Sequence, residues 1–424
     1  MSRQDGSDRQ VSAASVDSST ATILHVDLDA FFASVELLDR PDLVDVPVVV
    51  AGRSARSVVT AANYPARKYG VRSAISLGQA MRLCPHAVVL PPHREKYTHY
   101  SRLVMAIFDD VTPLVQRLGI DEAFLDVAGA RGLLGSPADV GALIRQRVLD
   151  ETRLTCSVGA ASVKFVAKMA SQRAKPDGML VVPAEQTLEF LHPLPVGALW
   201  GVGETTAQAL VSRGIRTIGD IAGTPLVALQ RAVGVAAGLK LLDLAAGVDP
   251  RRVVRDVDEK SVGHEVTFEV DITDAELLRR ELLRQSDAVA VRLREGGFVG
   301  RTIVLKLRYS DFTTITRSRT IAEPTDLGRR IYEEVRGIYE ALGAHDKVRL
   351  IGVRVEQLSS ASAQVASLWD EDETWRETER AVDDVAERFG RTALRPASLL
   401  GPADHLVQKG RLGDARQRRL DRGE

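Results

Sequence analysis

Ile120-Asp121-Glu122, read with His25-Val26-Asp27-Leu28-Asp29, decides how this chain is understood, because two apolar strands each deliver carboxylates at a turn. Neighbouring side chains of a strand point to opposite faces, so Asp121 and Glu122 converge only where the backbone turns between or beside them. The flanks supply that turn. Leu114-Val115-Gln116-Arg117-Leu118 and Ala123-Phe124-Leu125-Asp126-Val127 read as the two strands of a hairpin. Asp27 ends the apolar run Ile23-Leu24-His25-Val26 just before an amphipathic helix begins at Phe31. Three carboxylates then meet at one sheet end, where they repel one another unless divalent cations neutralise them. Hard oxygen ligands select magnesium, which completes its shell with water or substrate phosphates. Asp29 is an alternative ligand to Asp27, and Asp126 is a weaker candidate near the second strand.

At 424 residues the chain is too long for a single core and implies about two to four domains. A composition of 45% hydrophobic and 27% charged residues is that of a soluble globular protein. With a net charge of -1, any basic surface must be local and balanced by acids elsewhere. Cys84 and Cys156 lie far apart in apolar settings, which argues against disulfides and thiolate metal sites and for two core residues in a reducing cytoplasm. No apolar run approaches the length that crosses a bilayer. Residues 1–20 are rich in Ser, Asp, Gln and Arg without a hydrophobic centre, so they read as a disordered extension rather than a secretory signal.

The spacing predicts a helix over Phe31 to Leu38 and a strand over Val46 to Ala51. In Tyr64-Pro65-Ala66-Arg67-Lys68-Tyr69-Gly70, Pro65 suits the first helical position and Gly70 a stop. Free amides at that helix start attract phosphate, with Arg67 in the first turn and Tyr64 just before it. Thr155 to Gly159 reads as another buried strand, followed by a helix from about Ser162 that Pro176 stops. Lys164, Lys168 and Lys175 share one face of that helix. A cationic stripe is ordinarily solvated, and only Lys175, beside the Pro176-Asp177-Gly178 turn, is placed for a ligand.

From Leu194 the chain changes to short helices and glycine turns. The turn Trp200-Gly201-Val202-Gly203 exposes amides that bind a DNA phosphate irrespective of sequence. Residues 248–260 are polar and read as a linker. Beyond it, strands near Ser261 to Val270, Thr302 to Tyr309, Phe312 to Thr320 and Val348 to Val355 accompany helices at Asp274 to Glu295 and Asp326 to Leu342. They imply a small open sheet with helices on one face. Lys306 and Arg308 in one strand of its hairpin, and Arg317 and Arg319 in the other, form a candidate phosphate-tracking surface, against the plainer account of a half-exposed sheet. A Ser/Ala-rich stretch then carries the isolated pair Leu368-Trp369, and a helical tail (Trp375 to Gly390) leads to an Arg-rich end expected to be disordered.

These pieces, in this order, resemble a Y-family DNA polymerase, and within that family the bacterial DNA polymerase IV (DinB) group. The likeness covers about residues 22 to 358. It rests on His25-Val26-Asp27-Leu28-Asp29-Ala30-Phe31-Phe32, Ala62-Asn63-Tyr64-Pro65-Ala66-Arg67-Lys68-Tyr69-Gly70, Ile120-Asp121-Glu122-Ala123-Phe124, Ala174-Lys175-Pro176-Asp177-Gly178, Trp200-Gly201-Val202-Gly203 and Lys260-Ser261-Val262-Gly263-His264-Glu265. The resemblance implies a multidomain α/β (α+β) right hand. Its parts would be a palm (21–30 and 94–181), small fingers (31–93), a helical thumb with a helix-hairpin-helix (182–247), a linker (248–260), an α/β little finger (261–358) and a C-terminal tail (359–424).

By the same resemblance, Asp27, Asp121 and Glu122 are catalytic and, with the Leu28 carbonyl, hold two Mg2+ ions. Tyr64, Arg67 and Lys175 contact the incoming deoxynucleoside triphosphate, aided by backbone amides around Phe31 and Phe32. Phe32 is the steric gate that leaves no room for a 2′-hydroxyl, although by pattern alone it is a core residue of the first helix. Gly201 and Gly203 join Lys306, Arg308, Arg317 and Arg319 as DNA contacts. Gln364-Val365-Ala366-Ser367-Leu368-Trp369 is similar to the peptide by which bacterial polymerases dock on the sliding clamp. Gln364, Ser367, Leu368 and Trp369 are its contact residues.

The implied activity is that of a monomeric, cytoplasmic, DNA-directed DNA polymerase without proofreading, of low fidelity, acting on primer-template DNA in translesion synthesis and repair. Gly119, Val163 and Ala61 depart from the Ser, Asn and hydroxyl-bearing residues that relatives often carry there, but none is a metal ligand. A non-catalytic clamp-binding adaptor on the same fold is the rival reading, and the intact Asp27, Asp121 and Glu122 speak against it. A nucleotide cyclase with a similar palm would need neither the Gly201-Val202-Gly203 turn nor the basic little finger.

Overall fold

The computed structural model describes residues 5–13, 15–54, 56–255, 259–343, 346–363, 372–390, 393–394 and 399, and the chain divides after residue 257 into two compact units. The first contains strands β1 (Ile23–Leu28), β2 (Val48–Ala51), β3 (Val59–Ala62), β4 (Val88–Leu90), β5 (Val115–Arg117), β6 (Glu122–Asp126), β7 (Cys156–Ala161) and β8 (Met179–Val182). Five of them form the central sheet in the order β5-β6-β1-β7-β8, and the other three a smaller sheet ordered β3-β2-β4.

Central β1 is covered on both faces, so its sequence is apolar with one polar exception at each turn of the pleat. Leu24, Val26 and Leu28 enter a core completed by Val104 and Phe108 of the helix Arg94–Val111 and by Ile144 and Val148 of the helix Pro137–Thr152. His25 points the other way, against the helix Lys164–Ala174, where its Nδ1 meets Ser171 Oγ at 2.7 Å. Gly159 lies opposite His25 on β7. A Cβ there would stand 2.0 Å from the Ala167 carbonyl oxygen and 2.3 Å from the Ser171 nitrogen, so only glycine lets this helix lie so close to the sheet. The same helix shares a core with the short helices that follow, through Phe165, Val166, Leu210, Ile218, Leu229 and Leu241.

Three expectations are corrected in this unit. Residues 5–13 and 15–20, read as disordered, are packed. Gln10 N donates to Arg173 O at 2.9 Å, Ser12 N to Met179 O at 3.0 Å, and the buried Ser18 hydroxyl accepts from Ala138 N at 3.1 Å. Their polar composition conceals this because most of the contacts are hydrogen bonds made by backbone, hydroxyl and guanidinium groups, with Val16 the apolar side chain that packs on the core. The start of the polar segment read as a linker is also anchored, since Val253 is buried and the Arg251 guanidinium lies 4.5 Å from the Trp200 ring centre. The helix expected from Pro65 to Gly70 ends at Arg67. Both cysteines are buried and free, as expected.

The second unit is an antiparallel sheet of β9 (Ser261–Ile272), β10 (Phe298–Tyr309), β11 (Thr314–Thr325) and β12 (Val348–Ser360), ordered β11-β10-β12-β9. Ile303, Leu305 and Leu307 of β10 alternate onto the helices Ala275–Gly296 and Gly328–Ala341, where they meet Leu282, Val289, Ile331 and Val335. The tail helix Glu373–Phe389 belongs to this unit. Its Asp383 carboxylate takes a bidentate pair from Arg294 (2.7 and 3.1 Å), and its Glu379 accepts the amides of Gly328 (3.0 Å) and Arg329 (3.3 Å) at the start of a neighbouring helix. No helix among the described residues is long and apolar enough to cross a membrane.

Candidate active site

The turn between β5 and β6 closes onto the end of β1. Asp27 and Glu122 are direct register partners, and Leu28 N donates to Asp121 O at 2.9 Å, which draws the Ile120-Asp121 corner over the strand end. Because directly opposed residues share a face, Glu122 lies on the Asp27 and His25 side of the sheet. The predicted convergence of the three acids therefore has a backbone cause, one register pair and one hydrogen bond.

Two lysines hold the site electrically. Lys175 is buried, and its ammonium donates to Asp27 Oδ1 at 2.7 Å and to the Leu28 carbonyl at 2.9 Å, two of the expected metal ligands. Burial alone would lower the Lys175 ammonium, but Asp27 and Asp29 outweigh it and hold it above its ordinary value. Lys168 pairs with Glu122 beside His25, whose Nε2 lies 3.4 Å from the same carboxylate. Burial would raise the Glu122 carboxyl, yet the hydrogen bond from His25 and the charges of His25 and Lys168 bring it down to about 2. Asp121 forms no ion pair among the described residues, and burial, followed by the charges of Asp27 and Glu122, pushes its carboxyl up to about 6.

Among the described residues, no three His, Cys, Asp or Glu side chains are gathered closely enough to hold a metal ion, and Asp27 and Glu122 are each paired with a lysine instead. The donor set nevertheless fits a hard divalent cation. It consists of carboxylate and carbonyl oxygens, and the Asp121 carboxylate is repelled by Asp27 and Glu122 more than Lys175 attracts it.

Lys168 was missed by the sequence reading. Its stripe with Lys164 reads as solvated, but both are buried, and Lys164 bonds Gln116 and the Arg252 carbonyl. The usable signal was local: Phe165-Val166-Ala167 and Met169-Ala170 are apolar around the lysines, so the lysine stripe is flanked by core residues on both sides. Asp29, the alternative ligand, is buried and fully engaged. Its carboxylate is 2% exposed and accepts from Ser157 Oγ (2.9 Å), Tyr64 Oη (3.3 Å), Lys175 Nζ (3.4 Å) and Asp177 N (2.8 Å), so it organises neighbouring residues.

The helix-start argument for Tyr64 and Arg67 does not hold. That helix is one turn long, Asn63 Oδ1 caps it by accepting from Ala66 N at 3.1 Å, and the Arg67 guanidinium folds 4.8 Å from the Tyr64 ring centre with Nε on the Ala62 carbonyl (2.9 Å). Tyr64 and Lys175 are nonetheless brought together through Asp29, and burial, then Asp29, raises the Tyr64 phenol. At the helix Phe31–Leu37 the N-cap is Ala30, which offers no side-chain acceptor to the amides of Phe31 and Phe32. The Phe31 ring is core, whereas the half-buried Phe32 ring stacks on Tyr97 with centres 4.1 Å apart and planes 7° from parallel.

Gly201, at φ +98, and Gly203 are exposed with open space around each, which suits a close phosphate approach. The four cations of the second unit do not share one surface. Arg317 and Arg319 oppose Leu305 and Ile303 and so lie on the helix side, where Arg319 pairs with Glu334 at 3.0 Å. Lys306 and Arg308 lie on the other face together with Arg354, which the sequence reading missed. Residues 364–369, the expected clamp peptide, fall outside the described residues.

Comparison with known proteins covers both units. The model of the impB/mucB/samB family matches residues 26–172 and its C-terminal domain residues 259–368, while a DNA polymerase-iota thumb domain model matches 197–249. DNA polymerase IV of Desulfatibacillum aliphaticivorans is 41% identical over 383 residues, covering 89% of this chain and 96% of that protein. DNA polymerase IV of Brucella melitensis biotype 1 is 42% identical over 376 residues, covering 88% of this chain and 84% of that protein. Among solved structures, a Y-family DNA polymerase chimera superposes with a TM-score of 0.71 at 25% identity, over 79% of this chain and 98% of that chain. An insertion ternary complex of Dbh DNA polymerase gives a TM-score of 0.60 at 25% identity, with the same shares covered. Since this likeness runs through the strands that bring the acids together and on into the second unit, the chain belongs to the Y family of DNA polymerases, in the DNA polymerase IV group.

Proposed function

We propose that Asp27, Asp121 and Glu122, with the Leu28 carbonyl, form the metal site at which this DNA-directed DNA polymerase adds deoxynucleotides to a primer 3′ end. The observation that carries this is the meeting of Asp27 and Glu122 in register under the Asp121 corner. When bound, two magnesium ions supply activation of the primer hydroxyl and stabilisation of the leaving pyrophosphate. The chain's own part begins with Lys175. Its ammonium, which donates to Asp27 Oδ1 and the Leu28 carbonyl, would bind the triphosphate if those oxygens held a metal, and Tyr64 and Arg67, stacked on each other, would bind it too. Phe32 closes the sugar side.

The domain limits given by the resemblance are carried forward as palm (21–30, 94–181), fingers (31–93), thumb (182–247), linker (248–260), little finger (261–358) and tail (359–424). The small fingers check a nascent pair loosely, which suits low-fidelity copying past damaged bases in translesion synthesis and repair. Primer-template DNA and deoxynucleoside triphosphates are the substrates, the polymerase acts as a monomer in the cytoplasm, and Gln364, Ser367, Leu368 and Trp369 dock on the sliding clamp. Primer extension on damaged and undamaged templates with purified protein and magnesium tests this reading. Extension past the lesion is expected, and added clamp should stimulate it in the wild type but not after Gln364, Leu368 and Trp369 are changed to Ala. Failure to extend either template rejects the reading, and clamp stimulation that survives the triple change moves the docking site elsewhere.

Lys306, Arg308 and Arg354 form the little finger's phosphate-tracking face. Each has a polar neighbour to exchange for phosphate: Glu265 (2.6 Å), Thr314 (2.8 Å) and Glu356 (2.5 Å) respectively. Neutralising the three together should lower the slope of log affinity against log salt by about two to three, since each duplex phosphate contact contributes about 0.9. A slope identical to wild type, measured by fluorescence anisotropy, would place the contacts elsewhere.

A further inference from the structure

Residues 5–13 run along the free edge of the central sheet and reach the turn that follows Lys175. Ser12 pairs with β8: its amide donates to Met179 O (3.0 Å), and its hydroxyl accepts from Val181 N (2.9 Å) and donates to Val181 O (3.3 Å). Just upstream, Arg9 spans the turn that follows Lys175, donating from Nε to Pro176 O and from Nη2 to Asp177 O, both at 2.6 Å. Further upstream still, a Cβ on Gly6 would stand 3.1 Å from Pro176 Cδ and 3.9 Å from Tyr64 Cδ1, so this backbone lies against both residues.

That turn is strained and heavily tied. Asp177 has a left-handed backbone at φ 44, its amide bonds Asp29 Oδ2 at 2.8 Å, and Arg145 Nη2 reaches its carbonyl (2.9 Å) and carboxylate (2.6 Å). Asp29 in turn bonds Tyr64 and Lys175. A guanidinium is a planar fork that satisfies two carbonyls at fixed separation, which an ammonium cannot do with one nitrogen.

We propose that Arg9 is a positioning residue for the incoming nucleotide: residues 5–13 act as a strap that fixes the Lys175-Pro176-Asp177 turn and so presents Lys175 and Tyr64 to the triphosphate. Arg9 touches no reacting atom. Its loss loosens ground-state and transition-state binding equally, which raises KM for the nucleotide and spares kcat. The inference rests on Lys175 and Tyr64 being nucleotide ligands, and the experiment separates the two ideas.

Single-nucleotide incorporation is measured for the full chain, Arg9→Ala, Arg9→Lys, a deletion of residues 5–13 and Lys175→Ala, with thermal melting alongside. Arg9→Ala and the deletion should raise KM for the deoxynucleotide about fivefold with kcat changed less than about twofold, and Arg9→Lys should fall between them and wild type. Unchanged KM in Arg9→Ala and the deletion, beside a raised one in Lys175→Ala, rejects the strap alone. A lowered KM would mean that the segment obstructs the pocket. Joint loss of kcat and melting temperature that Arg9→Lys does not restore would reduce Arg9 to a structural role. Unchanged KM in Lys175→Ala rejects the nucleotide-site assignment and the strap with it.

Discussion

Changing Asp121 to Asn or Glu122 to Gln is expected to cut nucleotide addition by about a thousandfold or more while primer-template affinity stays near wild type. Metal stabilisation of an in-line displacement is worth several kcal/mol, and each ~1.4 kcal/mol is tenfold in rate. Neither residue is among the cations proposed to track phosphate. The two variants should part company in stability. Asp121 is a half-buried carboxyl pushed up to about 6 by desolvation and by Asp27 and Glu122, so its ionised form destabilises the fold above its unfolded pKa near 4. Asparagine removes that penalty, and Asp121→Asn should raise metal-free stability at pH 7 by on the order of 2 kcal/mol, with the gain vanishing below pH 4. Glu122→Gln acts the other way, because it leaves the buried Lys168 ammonium without its partner. Single-turnover extension and urea melts in chelator measure both effects, and wild-type rates from either variant would end the metal assignment.

Replacing Phe32 with Ala should reduce discrimination against ribonucleotides by about 10- to 100-fold. Accommodating an extra group against a packed wall costs about 1–3 kcal/mol, which is the range that removal of the ring returns. The wall is stiff. The Phe32 ring stacks on the buried Tyr97, whose hydroxyl donates to Glu36, and Glu36 also accepts from His93 N at 3.1 Å. Deoxynucleotide incorporation should survive, since no carboxylate moves. Competing deoxy- and ribonucleotides in single-nucleotide assays decide it, and unchanged discrimination would return Phe32 to the core role that pattern alone assigns it.

Much of the site was legible because its geometry is local. A period-two strand ending in Asp27, and a hairpin corner at Asp121-Glu122, bring the acids together through one register pair. Lys175 was legible for a similar reason, standing where proline ends a helix. The reading failed where a side chain's role depends on what packs against it. The start of the helix at Tyr64 looked like an open set of amides beside Arg67, but the Asn63 cap occupies that start and Arg67 covers Tyr64. Arg317 and Arg319 looked equivalent to Lys306 and Arg308, yet pairing sets them on opposite faces.

The sequence by itself determined the strands, the order of the elements and the meeting of Asp27, Asp121 and Glu122 at one sheet end, since periodicity, turn residues and charge at a strand end are properties of neighbouring residues. Only the tertiary structure decided that Lys168 is buried against Glu122, that Asp29 is buried among Ser157, Lys175 and Asp177, and that residues 5–13 lie on the sheet edge. These depend on contacts between residues more than a hundred positions apart in the chain, or on a close helix approach that Gly159 permits, and no local pattern encodes which buried charge will find which partner.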